Sequence, residues 1–325
     1  MRLFKLIVKR VLASIPLLFA VSFVTFFLLF HSPGDYLSSL QLNPQISQEF
    51  LKAERARLGL DRPFYIVWLK WIWGVVRHGD LGQSFQYKIP VLDLIGARLW
   101  ATFLLALTST IFAWFLAIPL GIAAATKHNG IVDRLASAVA FIGLSVPSVL
   151  LALLAVYFAA VTGWLPTGDM RSLQYYGHTS TWQRMRDIGN HIVLPTIVLG
   201  VGGLAIYTRQ MRSNLLETLQ TDYMRTALSK GLPYWLAVWR HALRNALNPL
   251  ITMFGFAFSD LLSGAFLVEN IFAWPGLGRT TIEAYQQKDM FVVAASVMLA
   301  TVMLIIGNLL ADILLAANDP RIRYD

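Results

Sequence analysis

The sequence of 325 residues contains no cysteine and little charge, since only 14% of its residues are Asp, Glu, Lys or Arg. The missing thiols exclude disulfide bonds, cysteine-ligated zinc and thiol catalysis. Soluble domains carry about 25% charged and about 45–50% apolar residues. In this chain 56% of the residues are hydrophobic and the mean hydropathy is +0.58. These values exclude a soluble enzyme and a disordered chain.

The sequence also lacks the short motifs that mark common catalytic sites. It has no G-x-x-x-x-G-K-[ST] phosphate loop, so we expect no ATP hydrolysis by that route in this chain. Its six histidines form no H-x-x-x-H or H-E-x-x-H pair, and there is no G-x-S-x-G nucleophile elbow. We therefore expect no catalytic residue, no metal and no cofactor in this chain.

Long apolar runs are what the sequence has in place of these motifs. A helix needs about 20 apolar residues to cross a hydrocarbon core of about 30 Å. The runs predict an all-α, polytopic membrane protein with six transmembrane helices, of which the fourth is the shortest. The six segments are roughly Val11–Phe30, Trp100–Thr126, Leu135–Thr162, Ile192–Tyr207, Pro249–Val268 and Phe291–Ala317.

The formal net charge of +9 fits either a nucleic-acid partner or a membrane topology. Six spans place both termini on one side. If that side is the cytoplasm, the inside segments hold 14 Lys and Arg and the outside segments hold 13, eight of them in the long loop 31–98. Long loops influence orientation weakly, and short cytoplasmic loops are rich in Lys and Arg. We therefore predict an inner-membrane protein with cytoplasmic termini, in contact with lipid and without a nucleic-acid partner.

The long loop 31–98 contains a cluster of aromatic residues. Trp68, Trp71 and Trp73 follow Tyr65 within one short stretch. Amphipathic aromatic side chains are enriched where a membrane meets water. This stretch is therefore expected to lie at the membrane interface.

The most informative segment is the inside loop, about 208–248, which carries six Lys and Arg and two acids. Thr221 or Asp222 can cap a first short helix. Gly231 suits the end of that helix, and Pro233 prevents its simple continuation. A second helix is expected from about Tyr234 to Leu247. Taken alone, such a loop could equally be held to anionic lipid by its charge.

This segment resembles the coupling loop of ABC importer permeases, whose consensus is E-A-A, three residues, G, nine residues and I-x-L-P. Arg225, Thr226 and Ala227 occupy the E-A-A place, Gly231 the G, and His241 follows where the consensus has Ile. These departures from the consensus resemble the sequences of the peptide and nickel importer branch. That branch has the strings D-Y-x-R-T-A-x-x-K-G-L and H-A-L-R-N-A-L-x-P. Both strings are present, and the first supplies Asp222, Tyr223, Arg225, Thr226, Ala227, Lys230 and Gly231.

Further strings of the same branch follow in order along nearly the whole chain. They support a resemblance to the B-type permease of dipeptide, oligopeptide and nickel importers. The strings are Pro33-Gly34-Asp35, Leu58–Pro63, Gly79-Asp80-Leu81-Gly82, Leu194-Pro195-Thr196, Ile271–Arg279 and Asp319–Arg323.

The resemblance implies the type I ABC importer permease fold and a set of partners. These are a second, C-type permease subunit, two cytoplasmic ABC ATPases that bind ATP and magnesium, and an extracytoplasmic solute-binding protein. The helix around Asp222–Gly231 would sit in a groove of one ATPase and act as a lever. The resemblance also implies a domain organisation. Residues 1–98 form an N-terminal span with a long external loop, and residues 99–325 form the permease core.

Asp260 is the most costly single residue, because it lies in the middle of the fifth span. An ionised side chain there costs about 2.5–3.5 kcal/mol on insertion scales. It either lines the substrate path, where it would meet a cationic group, or bonds a polar side chain of a neighbouring helix. The small residues Gly255, Ser259 and Ser263 of the same span favour close helix packing, within this chain or beside the path.

The predicted function is a permease subunit of an ATP-driven, binding-protein-dependent importer for peptides or a similar small solute. The alternative is an ion-coupled secondary transporter that acts without ATPases. That class would have inverted repeats and broken helices around a midplane site, and Pro119 and Pro147 could break two spans. The sequence shows no repeat, and it does not identify the solute.

Overall fold

A computed structural model describes residues 2–41, 46–173 and 180–318, and it describes side chains except those of 2–6, 39–40 and 255–264. Its elements are helices joined by turns and loops, and the described residues contain no β-strand beyond one isolated bridge. The helices are α1 (Arg2–His31), α2 (Ser38–Gln41), α3 (Gln48–Leu58), α4 (Phe64–His78), α5 (Val91–Thr126), α6 (Ile131–Ser145), α7 (Ser148–Thr162), α8 (Thr181–Leu219), α9 (Asp222–Ser229), α10 (Tyr234–Ala237), α11 (Leu243–Ala246), α12 (Asn248–Ile271), α13 (Leu277–Gln286) and α14 (Met290–Asn318).

The apolar helices confirm an all-α, polytopic membrane protein. In the described part of the chain, α1 from Ile7 onwards, α5, α8 and α14 are each long and apolar enough to cross a bilayer. The predicted third span is instead the pair α6 and α7, bent by 94°. The predicted fifth span corresponds to α12, a helix of 24 residues.

The two prolines considered as helix breakers behave differently. Pro147 stands directly before α7, and the residue ahead of it, Val146, is extended at φ −92° and ψ 120°. A proline disfavours helical geometry in the preceding residue, so the chain bends here. Pro119 lies inside α5, which continues through it. Only one of the two considered breaks is therefore present.

The chain divides into two compact units. Unit 1 comprises residues 1–7, 103–274 and 304–325, and unit 2 comprises residues 8–102 and 275–303. In unit 1, α8 packs against α6, α7 and α12. An ion pair adds to this packing, since the Arg212 guanidinium on α8 donates to the Asp133 carboxylate on α6 at 2.8 Å.

Glycine allows α5 and α8 to approach closely within unit 1. A Cβ built on Gly200 would lie 2.4 Å from the Phe112 ring, and one on Gly121 would lie 2.6 Å from the Met211 Cβ. Helices in membranes associate through such small residues, because apolar side chains gain nothing by leaving lipid. The glycines therefore set the distance between these two helices.

Unit 2 is organised by aromatic packing and by buried polar bonds. The rings of Phe23 and Trp68 meet edge to face at 5.2 Å between centroids, and those of Phe26 and Trp71 lie 5.1 Å apart. Trp71 Nε1 donates to the Leu81 carbonyl at 2.9 Å, and Ser84 Oγ donates to Asp289 Oδ2 at 2.6 Å. These contacts hold α1, α4 and the turn before α14 together.

Candidate functional site

The segment 208–248 is more helical than expected. Its first residues belong to α8, which continues to Leu219. Only Gln220 and Thr221 separate α8 from α9, and the Gly231–Pro233 corner separates α9 from α10. What was predicted as a loop of about 40 residues is thus the end of a long helix followed by two short helical arms.

The start of α9 lies at one of the two predicted residues, but the cap differs from the prediction. Thr221 is the N-cap residue, with extended φ −72° and ψ 154°. Its hydroxyl does not cap the helix, because Thr221 Oγ1 donates backwards to the Thr218 carbonyl at 2.6 Å. Asp222 is instead the first helical residue, where a carboxylate interacts favourably with the positive end of the helix dipole.

The helix α9 has one anchored residue and one open face. Met224 is fully buried in an apolar cluster with Met211, Leu215, Leu243 and Leu250. The side chains of Asp222 and Arg225 are 97% and 75% exposed, and they lie 3.6 Å apart. A residue buried to this degree holds the helix on the body of unit 1, while its polar face remains free for contact.

A tight corner joins the two arms. Gly231 has φ +80°, the left-handed conformation that glycine adopts without strain. Its amide donates to the Leu228 carbonyl at 2.9 Å, and the Lys230 amide donates to the Thr226 carbonyl at 3.1 Å. Pro233 then precedes α10. The sequence-based prediction of a glycine–proline corner agrees with this geometry.

The second arm is not the continuous α-helix expected from Tyr234 to Leu247. Between α10 and α11 the residues Val238–Ala242 form a π-helical turn. Such turns insert one extra residue into a helix and are frequent at functional sites. Trp235 and Trp239 are both more than half exposed. The arm therefore presents two tryptophans outward while Val238 and Ala242 are buried.

Four side-chain hydrogen bonds fix the arms to each other and to the rest of unit 1. Asn245 Nδ2 donates to the Tyr223 hydroxyl at 2.9 Å. Asn214 Nδ2 on α8 donates to the Ala246 carbonyl at 3.1 Å. Arg244 Nε donates to the Asn318 carbonyl at 2.6 Å, and Asn318 Nδ2 donates back to the Arg244 carbonyl at 2.8 Å. The two arms are thus connected to α8 and to the end of α14.

The structure brings most of the predicted residues of this segment together on one short element. Asp222, Tyr223, Arg225, Thr226 and Ala227 lie on α9, and Lys230 and Gly231 close it. Asp260 lies in α12, and its side chain is outside the described residues, as are those of Gly255, Ser259 and Ser263.

Sequence reasoning missed a cavity of about 230 Å³ inside unit 1, beside the bend between α6 and α7. A signal for it was present, because glycines recur in the fourth span at Gly200, Gly202 and Gly203. Small side chains leave space between helices, and hydroxyls make that space polar. Its lining includes Ser109, Thr110, Ser148, Gly200, Gly203 and Tyr207.

Among the described residues no group of three or more His, Cys, Asp or Glu side chains is placed to hold a metal ion. The architecture is that of a polytopic, helical membrane protein, in which a bent helix pair flanks an internal cavity and the buried side chain of Met224 anchors the short helix α9.

Comparison with known proteins defines the family. Residues 117–324 match the binding-protein-dependent transport system inner membrane component family. Residues 3–106 match the N-terminal domain of the same transport-system membrane components. The chain belongs to this family, and it is a permease subunit of an ATP-driven, binding-protein-dependent importer in the inner membrane.

Several curated relatives match over nearly their whole length. The oligopeptide transport system permease protein AppB of Bacillus subtilis is 38% identical over 320 residues, covering 98% of this chain and 99% of the relative. The glutathione transport system permease protein GsiC of Escherichia coli is 36% identical over 319 residues, covering 98% of each chain. The dipeptide transport system permease protein DppB of Escherichia coli is 38% identical over 334 residues, covering 98% of each. These relatives favour the permease subunit over the ion-coupled secondary transporter.

Proposed function

We propose that this chain is the B-type half of a heterodimeric peptide-importer channel. Its partners are a C-type permease chain, two cytoplasmic ATPases that bind ATP and magnesium, and an extracytoplasmic solute-binding protein. The relatives carry the names of oligopeptide, glutathione and dipeptide systems. Peptides or peptide-like solutes are the class these names share. The chain itself hydrolyses no ATP and holds no cofactor.

The ATPase contact in this proposal is the open face of α9. Its observational support is the contrast on a single helix between fully buried Met224 and the exposed side chains of Asp222 and Arg225. A short helix with a buried anchor transmits displacement better than a flexible loop. Movement of an ATPase against Asp222, Arg225 and Lys230 would pass through Met224 to the end of α8.

The second arm carries the same movement to other spans. Arg244 is bonded to Asn318 at the end of α14, and Asn214 on α8 is bonded to Ala246. The π-helical turn Val238–Ala242 leads directly into α11 and α12. In the proposed mechanism a displacement of α9 therefore reaches α8, α12 and α14 together, and changes which side of the membrane the channel faces.

For the substrate path we propose two elements. The first is the cavity lined by Ser109, Thr110 and Tyr207, whose hydroxyls suit the polar, uncharged amide groups of a peptide. The second is Asp260, which would meet the amino terminus of a peptide. A structural bond to a neighbouring helix is the alternative role of Asp260. Unchanged transport of both cationic and neutral peptides by Asp260→Asn would exclude the path role.

The experiment uses the absence of cysteine. A single Arg225→Cys variant carries one thiol, and a photoreactive maleimide on it should cross-link to an ATPase subunit in membranes that contain the complete transporter. Lys52→Cys in α3 is the matched control, since Lys52 is also exposed and basic. It should not cross-link to the ATPase. No ATPase adduct with Arg225→Cys, or equal adducts with both, would contradict the proposal.

The same variants test the proposed orientation, with both termini in the cytoplasm. A membrane-impermeant maleimide should label Lys52→Cys in intact cells and label Arg225→Cys only after the membrane is permeabilised. The reverse pattern would overturn the orientation while leaving the family membership unaffected.

A further inference from the structure

Unit 2 contains a cavity of about 660 Å³, and its lining includes no residue of the segment 208–248. This volume is within the range of about 300–1,000 Å³ typical of small-molecule sites. The cavity is formed by the end of α3, one side of α4, the turn after α4 and the start of α14. Residues that define its character are Arg57, Arg62, Lys70, Trp71, Phe85 and Lys88.

The lining of this cavity is strongly basic. Arg57 is paired with Glu54, and the one acidic side chain of the lining, Asp80, accepts a bond from the Gly82 amide at 2.8 Å. Within the described residues, Arg62, Lys70 and Lys88 have no carboxylate within 4.0 Å, and all three are exposed. Three cations around one cavity attract an anion.

The position of Lys88 is held by unusual backbone geometry. Lys88 has φ +56°, a left-handed conformation that costs a non-glycine residue about 1–2 kcal/mol. Its amide donates to the Ser84 carbonyl at 3.0 Å, which fixes the turn. Backbone strain of this kind concentrates at ligand-binding sites. Here it places a third cation at the cavity rim.

An apolar strip runs along α4 next to the cavity. Leu69, Trp73 and Val76 are spaced four and three residues apart, so they share one face of the helix, and they are 55%, 60% and 69% exposed. Lys70 lies between this strip and the cavity side of the helix. The Arg77 guanidinium stands 5.5 Å from the centre of the Trp73 ring. Cations beside an exposed aromatic and aliphatic strip are typical of a membrane-surface helix.

We propose that this cavity binds the phosphate headgroup of an anionic phospholipid, whose acyl chains lie along Leu69, Trp73 and Val76. Arg62, Lys70 and Lys88 contact the headgroup, and Arg can make the planar, two-pronged bond that phosphate favours. The site belongs to unit 2 and is independent of the proposed coupling to an ATPase. It ties the permease to bilayers that contain negatively charged lipid.

The adjacent apolar strip is what favours a lipid over other anions. A free phosphate or an acidic protein loop needs the three cations but gains nothing from exposed Leu69, Trp73 and Val76. A lipid uses both features at once. The α4 helix also packs on α1 through Trp68, whose indole donates to Ser22 Oγ at 3.1 Å, so it runs beside a membrane-spanning helix.

The test is native mass spectrometry of the purified complex that contains the full chain. After delipidation the complex is titrated with phosphatidylglycerol or with phosphatidylcholine of the same acyl chains. The unmodified protein should retain phosphatidylglycerol at least tenfold better. The combined variant Arg62→Gln, Lys70→Gln and Lys88→Gln should lose this preference. Lys52→Gln, which removes an exposed cation of unit 2 outside the cavity, should keep it.

Three results would overturn the proposal. One is that the unmodified protein does not prefer phosphatidylglycerol. This result does not depend on the folding of any variant. Another is full displacement of the lipid by inorganic phosphate at equal concentration, which would indicate a site for a free anion. The third is a triple variant that keeps phosphatidylglycerol but loses the solute-binding protein, which would indicate an acidic protein partner. A double variant, Leu69→Gln with Trp73→Gln, should weaken the binding of long-chain phosphatidylglycerol. The binding of glycerophosphoglycerol, which has no acyl chains, should not change.

Discussion

Asn245 donates its side-chain amide to the hydroxyl of Tyr223 at 2.9 Å, across 22 residues of sequence. Tyr223 lies on α9, and Asn245 lies on α11, so this bond closes the two arms around the Gly231–Pro233 corner. Both residues are partly accessible to water, and a single bond of this kind contributes about 0.5–1.5 kcal/mol. The hydrogen bond between Asn245 and Tyr223 therefore contributes more to the angle between the two arms than to the stability of the fold.

Tyr223→Phe should weaken transport more than stability. The substitution removes the hydroxyl that accepts the Asn245 bond and keeps the ring. We expect a fall of about twofold to fivefold in solute moved per ATP hydrolysed, with an unchanged thermal transition, because about 1 kcal/mol is at stake. Tyr234→Phe is the control, since Tyr234 lies on the neighbouring arm at similar exposure. Equal effects of the two variants in reconstituted vesicles would contradict this role.

Met224→Ala should detach α9 from unit 1. Met224 is fully buried, and truncating a buried methionine costs about 2–5 kcal/mol. The expected result is a lower thermal transition of the purified complex and reduced ATPase association. The comparison variant is Leu228→Ala on the same helix, where the side chain is 41% exposed.

Leu228→Ala should leave the thermal transition unchanged and weaken ATPase association alone. The two variants therefore separate the anchoring of α9 on unit 1 from the contact of α9 with the ATPase. If Leu228→Ala lowered the thermal transition as much as Met224→Ala, the division of α9 into a buried side and an open side would be wrong.

Asp289 should make unit 2 less stable as the pH rises. Burial raises the pKa of this carboxyl, and the bonds from Ser84 Oγ and the Gln86 amide oppose that shift only in part. A folded-state pKa above the unfolded value of about 3.9 means that the folded state holds its proton more tightly. Stability from this group is thus present below about pH 4 and is lost as the pH rises through the folded-state pKa.

Asp289→Asn removes this ionisation while keeping an oxygen for the Ser84 and Gln86 bonds. Its thermal transition should exceed that of the unmodified protein at pH 7.5, and the difference should shrink towards pH 4. Asp61→Asn, at an exposed position of the same unit, is the control variant measured over the same pH range. A pH-independent difference for Asp289→Asn would refute the explanation by burial.

Much of the fold could be predicted from the sequence, because the apolar composition of a span and the glycine and proline residues of a turn are local properties. The runs that became α1, α5 and α14 needed only length and hydropathy. The corner at Gly231 followed from a glycine and a proline two residues apart. The bend at Val146 was only partly readable, since Pro147 broke its helix whereas Pro119 did not. A proline in the sequence does not by itself reveal which of the two outcomes occurs.

Features that depend on packing were not readable. The π-helical turn at Val238–Ala242 has its first and last residues buried, and no periodicity in the sequence indicates it. The same holds for the Thr221 hydroxyl, which bonds the Thr218 carbonyl of the preceding helix instead of its own. In the aromatic stretch of α4, Trp71 faces inward to the Leu81 carbonyl, while Trp73 faces outward. Composition identified the aromatic stretch but not the direction of each ring.

The central claim is that α9 and its glycine corner couple ATP hydrolysis to transport. The most direct test measures solute uptake and ATP hydrolysis together in vesicles containing the complete transporter with Gly231→Asp. Aspartate tolerates the left-handed conformation better than most residues, and a Cβ at Gly231 meets nothing within 4 Å. Gly163→Asp is a matched control, because Gly163 has φ +66°, equally open space and a position at the end of α7.

We predict that Gly231→Asp assembles and hydrolyses ATP while uptake per ATP falls at least tenfold, and that Gly163→Asp transports normally. Normal uptake per ATP by Gly231→Asp, or an equal loss in both variants, would contradict the account.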